Sequence, residues 1–572
     1  MIKHWSYGAI ASAVIAATTT VAHADTFTVQ DLGKPANVRG AYAESINNQG
    51  LMLATGYFPE QVNIDLTKVP TSLLVNLGYT SAEEIESLTP EEYDYLIRNL
   101  ANEQNNNQRA FRVGLNRGLL YDGQWQYNNF FASSEAGALP ASVNNFLLEI
   151  NNNNEAVGYG SAPYYPIDHT YTTADDETVT IQLYQRDFIS RGIWFRNGTT
   201  TQINPPETSY LGGESAILDI NDSGLAAGYA SIGVSPEAQT VADKCNDPEQ
   251  REASQTAMSC MWAAWYDISH ARANPRPNIY SASPIRANRS IYDIRGYLWQ
   301  LDADGQVISS TELGTLTDRE TEEDTRDFSS YALAVNNAGI AVGQSWTYYE
   351  NDRTVGNRIR MPAIFIDGEA LPVTEDKNWL WGAATDINDN NLAIGYLTET
   401  RAAALRNKGF VYDVDAGQLK ELDGFFTGSS TVPMAINNNN VVVGTGEIEG
   451  TFSDTRRRAG FMVDLSADAP KFIDLNDAIS CDSDYFIVEA NDINDNGEII
   501  ATALISETYV DGDGNEQERT VARSVKLTPK DGELNDCSVE ENKVERQGAS
   551  LGWFHLAGLL ALGVFITLGR KR

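Results

Sequence analysis

Histidine is scarce in this chain. There are five among 572 residues, and His4, His23 and His555 fall in its two apolar ends, leaving only His169 and His270. A zinc centre recruits several His or Cys ligands, and once the four cysteines pair, too few donors remain. Neither remaining histidine stands beside a nucleophile motif, which argues against a Ser-His-Asp site. Basic residues are also few, 41 against 78 acidic, for a formal net charge of −37. Such a chain repels phosphate backbones, so nucleic acid is excluded as a partner. A Gly-rich phosphate loop and a dinucleotide fingerprint are both missing. These absences do not reach carboxylate chemistry, because a glycosidase needs only two acidic groups at the right separation. Among 78 acids the sequence singles out no such pair.

What the chain does have is one short phrase, seven times over: an aliphatic residue, an Asn, two polar residues, a Gly or Asn, then a small apolar stretch. The copies begin at Ile46, Ile150, Ile220, Val335, Ile387, Ile436 and Ile493. Repetition of this kind requires the fold to be read as an array of like units. The fifth position is Gly50, Asn154, Gly224, Gly339, Asn391, Asn440 and Gly497. Gly and Asn visit positive φ most cheaply, so each copy predicts strand, tight turn, strand.

A second phrase alternates with the first, a Gly or Pro followed by an apolar and aromatic strand. It begins at Gly118, Gly192, Gly296, Pro362, Gly409 and Gly460, with a weaker seventh copy at Ser524. Another short strand follows most copies, so a unit holds four strands in about 50 residues, the period of a propeller blade. The seventh unit lacks its fourth strand, while Phe27–Gly33 resembles the fourth strands of other units. The expected fold is therefore all-β, a seven-bladed propeller closed by its N-terminal strand, with an open solenoid as the runner-up. Closure would remove two unpaired sheet edges.

Long hydrophobic runs occur only at the ends. Residues 1–24 carry Lys3, an apolar run from Ala9 to Ala17 and a small-residue cleavage site at Ala22-His23-Ala24, the pattern of a signal peptide. Leu551–Leu568 carries no formal charge and is followed by Arg570-Lys571-Arg572, which predicts one membrane helix with its basic end in the cytoplasm. The expected organisation is a propeller over 25–535, a polar linker over 536–547 and a tail over 548–572. Gly548, Ala549 and Ser550 followed by the apolar span and basic end resemble the GlyGly-CTERM sorting signals of Gram-negative bacteria, although Gly548 has no Gly neighbour. That resemblance implies cleavage by a rhomboid-type protease before surface delivery; the competing expectation is a permanent inner-membrane anchor that leaves the propeller in the periplasm. With its Asn-rich repeats the chain is similar to HAF-type extracellular repeat proteins, within an uncharacterised family of bacterial surface proteins. The family implies a repeat fold and export, and contributes no catalytic residue.

Four cysteines suit an oxidising compartment. By sequence proximity Cys245 pairs with Cys260 and Cys481 with Cys537, one of three arrangements four cysteines permit. No cofactor is implied except calcium. Asp492-Ile-Asn494-Asp-Asn496-Gly and Asp219-Ile-Asn221-Asp-Ser-Gly have the first half of a calcium loop. The closing Glu is replaced by Ala503 and Ala230, so the turn reading competes strongly.

The insertions carry the functional expectation. Long segments interrupt the second-to-third strand junction in blade one (about 58–109) and blade three (about 231–292), with lesser ones in blades two, four and seven. Strand alternation puts all these loops on one face, where a rigid scaffold presents its binding surface. In blade one, Ser81 with Glu84 and Thr89 with Glu92 match capping boxes, and Tyr93, Leu96 and Leu100 share a helical face. In blade three a helix is expected from Asp247-Pro248. Trp262, Trp265 and Tyr266, with Trp346, Tyr348 and Tyr349 of blade four, are candidate aromatic contacts for a sugar or a protein partner, with core packing beneath the loop as the commoner fate of such rings. The reading is an exported propeller binding a glycan or protein partner. The alternatives are a carboxylate-dependent glycosidase or lyase and a structural surface or matrix protein.

Overall fold

The repeated turn residues adopt the backbone their identities permit. Gly50, Gly224, Gly339 and Gly497 lie at φ between 75° and 81°, and Asn154, Asn391 and Asn440 between 59° and 63°. Each turn joins the two innermost strands of one sheet. The computed structural model describes residues 26–101, 108–269, 291–318, 328–348, 358–376, 378–401, 404–450, 456–467 and 469–535. They form seven four-stranded antiparallel sheets and one two-stranded hairpin. The innermost strands are Val38–Ile46, Asn145–Ile150, Ser215–Ile220, Ser330–Val335, Trp381–Ile387, Thr431–Ile436 and Phe486–Ile493. Each packs against the innermost strand of the next blade, and the seventh against the first, so the array is a closed ring and not a solenoid.

The N-terminal strand Thr26–Asp31 supplies the fourth strand of blade seven, in register from Thr26 opposite Lys530 to Asp31 opposite Val525. Between blades the core is built of large buried rings, among them Trp194, Trp299, Phe365, Phe410 and Phe461. Every innermost strand also carries a bulge just before its turn, for example between Ile217 and Asp219 and between Ala384 and Asp386. The bulge pushes a carbonyl toward the second strand, and this explains the Gly that ends the small apolar stretch. A Cβ on Gly228, Gly343, Gly395 or Gly444 would overlap the carbonyl oxygen of Ala216, Tyr331, Ala383 or Val432.

The insertions fold as compact pieces. Blade one contributes α1 (Thr71–Asn76) and α2 (Pro90–Leu100), the latter opened by the expected Thr89–Glu92 capping box with Pro90 at its first position. Leu96 and Leu100 are buried beneath it, and the Tyr93 hydroxyl donates to the Pro59 carbonyl (2.9 Å). The other expected box is displaced by one residue, because Glu84 accepts from the Thr80 amide (2.8 Å) and Ser81 makes no capping bond to the backbone. Blade three contributes α3 (Pro236–Asn246) and α4 (Ala257–Ser269). Here the expected start at Asp247-Pro248 is corrected: Ser235 caps α3, and Asp247 ends it. The Asp247 carboxylate takes the Glu249 amide (2.9 Å) to make a turn. Thr256 and Ser259 exchange hydrogen bonds at the start of α4.

Cys245 and Cys260 are bonded, with Cα atoms 5.5 Å apart, and so join α3 to α4. Cys481 is also disulfide-bonded; its expected mate Cys537 lies outside the described residues. A loop of this length is stabilised by about 3 kcal/mol on closure. Replacing Cys245 and Cys260 together by Ser should therefore make residues 246–256 the first protease cleavage site while the sheets stay intact, as peptide mapping after limited digestion would show. Among the described residues no helix is long and apolar enough to cross a membrane. The apolar leader, Leu551–Leu568 and Gly548, Ala549 and Ser550 all lie outside the described residues.

Candidate functional site

The repeated Asn does more than start a turn. Its side-chain oxygen accepts the amides two and four residues ahead, at 2.9–3.1 Å in all seven copies. Its amide nitrogen then donates to the main-chain carbonyl of the corresponding Asn one blade on. The links run from Asn47 to Asn151, Asn221, Asn336, Asn388, Asn437 and Asn494 and back to Asn47, each 2.9–3.1 Å long. The result is a closed belt of seven buried carboxamides whose acceptor and donor sides are both used.

Two residues before each Asn, the side chain lies in the central channel, beside a cavity of about 260 Å³ lined by Glu149, Asp219, Asp386 and Asp492 with Thr385 and Asn491. Asp219 accepts from its own neighbour Ile220 (2.7 Å) and from Val335 in blade four (2.6 Å). Asp386 does the same with Ile387 (2.7 Å) and Ile436 of blade six (2.8 Å), and Asp492 with Ile493 (2.7 Å) and Ile46 of blade one (2.8 Å). Blades three, five and seven thus supply an Asp, while four and six, which receive the bond, have Ala334 and Ala435. Seven is odd, so this alternation breaks once, at Ser45 of blade one and Glu149 of blade two. There the Ser45 hydroxyl lies between a Glu149 oxygen and an Asp492 oxygen. One hydroxyl carries one hydrogen, so a second proton is needed to join the three groups. Glu149 is the group to hold it, since burial first, and then the charges of Asp492 and Asp219, push its carboxyl well above the usual range. Burial likewise raises Asp219 and Asp386 to about 7.

These contacts redefine the residues expected to hold calcium. Asp219 and Asp492 join blades; Asn221 and Asn494 belong to the belt; and Asn496 donates to the Asn48 carbonyl (3.0 Å). Among the described residues no group of three or more His, Cys, Asp or Glu is placed to hold a metal ion. A further set of blade fasteners escaped sequence reading. Arg117, Arg191, Arg295 and Arg523 reach from third strands to carbonyls that lead into the next blade, at Val143 (2.7 Å), Gly212 (2.6 Å), Phe328 and Arg39 (3.1 Å). Their signal was present, since each directly precedes the Gly or Ser that opens the second phrase.

The aromatic candidates are corrected too. Trp262 is 2% exposed, Trp265 4%, Trp346 3% and Tyr348 6%, so these rings are not offered to a ligand. Trp262 and Trp265 pack edge to face with centroids 5.5 Å apart, and the Arg186 guanidinium lies 4.9 Å from the Trp262 ring. Both belong to an apolar cluster continuous with Leu218, Leu333 and Val432 of the innermost strands. Tyr266 is in α4, and Tyr349 and His270 lie outside the described residues.

The insertions of blades one, two and three join across blade boundaries. Blade two adds the hairpin Tyr165–Thr172 and Thr178–Gln185, whose Tyr184 amide donates to the carbonyl of Gln108 from blade one (2.7 Å). The Gln108 side chain donates onward to the Ser259 carbonyl in α4 (2.6 Å), and the His169 ring contacts the Ala253 carbonyl (2.8 Å).

No curated protein matches this chain. Among solved structures, the β-propeller domain of the Trilobed protease from Pyrococcus furiosus is 9% identical, with 85% of this chain and 98% of that one covered at a TM-score of 0.34. The Pyrococcus horikoshii acylaminoacyl peptidase is 13% identical, with 66% and 52% covered at 0.29. A sevenfold repeat that runs through the whole ring should be a property of the entire chain, and the family model described as "Protein of unknown function (DUF3466)" indeed matches residues 4–570; the chain belongs to that family.

Proposed function

We propose that this propeller is exported, is displayed at or released from a Gram-negative cell surface, and binds a glycan or protein partner through its insertion-bearing face. The observation that supports this most is the joining of three insertions, from three blades, by hydrogen bonds to one another. Loops lengthened only because the surface tolerates them have no need of mutual bonds, whereas a recognition surface gains from being held in one shape. Export rests on the leader over 1–24 and on the apolar span with its basic end. The tail at Gly548-Ala549-Ser550 acts in this reading as a GlyGly-CTERM-type signal, cut by a rhomboid-type protease after the HAF-type repeats have crossed the membrane.

The test is to apply the full-length protein, in mild detergent, to arrays of bacterial and algal polysaccharides and to cross-link it to outer-surface proteins. Retention on one class without release of reducing ends is expected. Released reducing ends would replace the reading by an enzyme, and retention on neither class would leave a purely structural role.

A further inference from the structure

We propose that a cleft at the rim of blade one is a subsite for a ring of a neutral polysaccharide, an assignment that rests on the binding reading above and narrows it to one ligand class. The cleft holds about 390 Å³, within the range of small-ligand sites, which is about 300–1,000 Å³. Its walls come from the segment entering blade one at 35–38, the start of the insertion at 59–63, the ends of the third and fourth strands, and the lead into blade two at 140–141. By strand direction these lie at the end of the blade from which the insertion leaves, on the proposed recognition face, except for Trp125, which opens the fourth strand level with Tyr121 and Met52.

Both charged groups in the cleft are already satisfied. The Arg117 guanidinium is buried and donates to the carbonyls of Val143 (2.7 Å), Asn116 (2.9 Å) and Ala141 (3.0 Å). Glu60 lies 3.0 Å from Lys34 and 3.4 Å from Arg519. A charged ligand would find no free counter-charge, and a neutral one meets no penalty. The groups that remain suit a sugar. Tyr127 is 44% exposed, and beside it Trp125 is fixed by its indole N–H on the Gly33 carbonyl (3.0 Å) and by an edge contact with Tyr121. Aromatic faces of this kind accept the C–H face of a pyranose. The exposed carboxamides of Asn37, Gln61 and Asn63 make no hydrogen bond within the described chain, and each offers both donors and an acceptor to hydroxyls.

The backbone supports the same assignment. Asn37 lies at φ 62° and Gln61 at φ 72°, both lining the cleft, while Phe58, at φ 57°, buries its ring in the core beneath the insertion. For Gln and Phe that conformation is strained, and strain held in place is characteristic of ligand sites. What holds it is visible: the Arg39 guanidinium sits 3.8 Å from the Phe58 ring centroid, and the Glu60 amide donates to the Asn37 carbonyl (2.8 Å).

The experiment is affinity electrophoresis of the full-length protein through gels containing soluble glucan, mannan or galactan, with alginate as the charged comparison. Tyr127→Ala and Gln61→Ala are the site variants, and Ile308→Ser, on the exposed outer strand of blade three, is the control. Retardation by a neutral polymer is expected, weakened at least fivefold in Tyr127→Ala and measurably in Gln61→Ala, with unchanged melting temperatures and an unaffected control. Retardation that persists in both variants would overturn the cleft while leaving glycan binding intact. Retardation by alginate alone, or by no polymer, would also overturn the cleft. The wider reading fails by a different result, when cross-linking finds no protein partner either.

Discussion

Unfolding midpoints in urea should fall as the pH is raised from 5 to 8. Asp219 and Asp386 ordinarily titrate at 3.8, and burial in the channel raises both to about 7. Glu149 is raised as well, by burial and by the charges of Asp492 and Asp219. Between those values the folded chain binds more protons than the unfolded one, so stability declines with pH. The contribution is complete below the unfolded pKa and is lost as pH rises through about 7. At about 1.4 kcal/mol per unit, and because the three groups repel one another and do not act independently, the loss should be on the order of a few kcal/mol. The opposing force is also visible, since each Asp accepts two backbone amides that favour its charged form. Asp386→Asn should flatten the pH slope at the cost of one good acceptor, the one facing Ile436. A midpoint that rises between pH 5 and 8, or a slope unchanged in Asp386→Asn, would contradict this account of the channel.

The second large effect concerns the Asn belt. Asn437→Ala should destabilise the protein by about 3 kcal/mol, because it leaves two backbone amides, of Asn439 and Val441, without a partner and breaks the inter-blade bond to the Asn494 carbonyl, which keeps only the Gly497 amide. Asn439→Ala is the matched comparison. That side chain is exposed and gives only one bond, to the Asp495 carbonyl (2.9 Å), so its loss should cost about 0.5–1 kcal/mol. Urea titrations of the two variants decide the matter. Equal losses would mean that the belt is a by-product of the turns and not a fastening between blades.

The turns were legible in sequence because positive φ is a local demand, met at one position by two residue types, and Gly50 or Asn391 can be recognised without knowing what lies nearby. The blade count followed, and so did the closing strand, because Phe27–Gly33 has the composition of a fourth strand without a third beside it. The belt was not legible, because each bond joins residues 49 to 115 or more positions apart and the donor is already explained by its own turn. The same ambiguity made Asp219 and Asp492 resemble calcium ligands: an oxygen that accepts an amide from the next blade is written with the same letter as one that holds a cation. Trp262 and Trp265 were open to two readings, ligand contact or core, and the structure takes the second. The helix from Ala257 to Ser269 is rich in apolar residues, and Met261, Trp262 and Trp265 are buried in the cluster it packs on.

The closing strand also sets an order on synthesis. Thr26 pairs with Lys530, so the first strand to be made waits for a partner about 500 residues later in the chain. At about 5–20 residues per second that interval is roughly 25 to 100 s. Throughout it the last sheet has no outer strand and the belt has no seventh member. A prematurely terminated chain can therefore build several good blades and still never become a ring, which makes circular closure a built-in check that the whole message has been read.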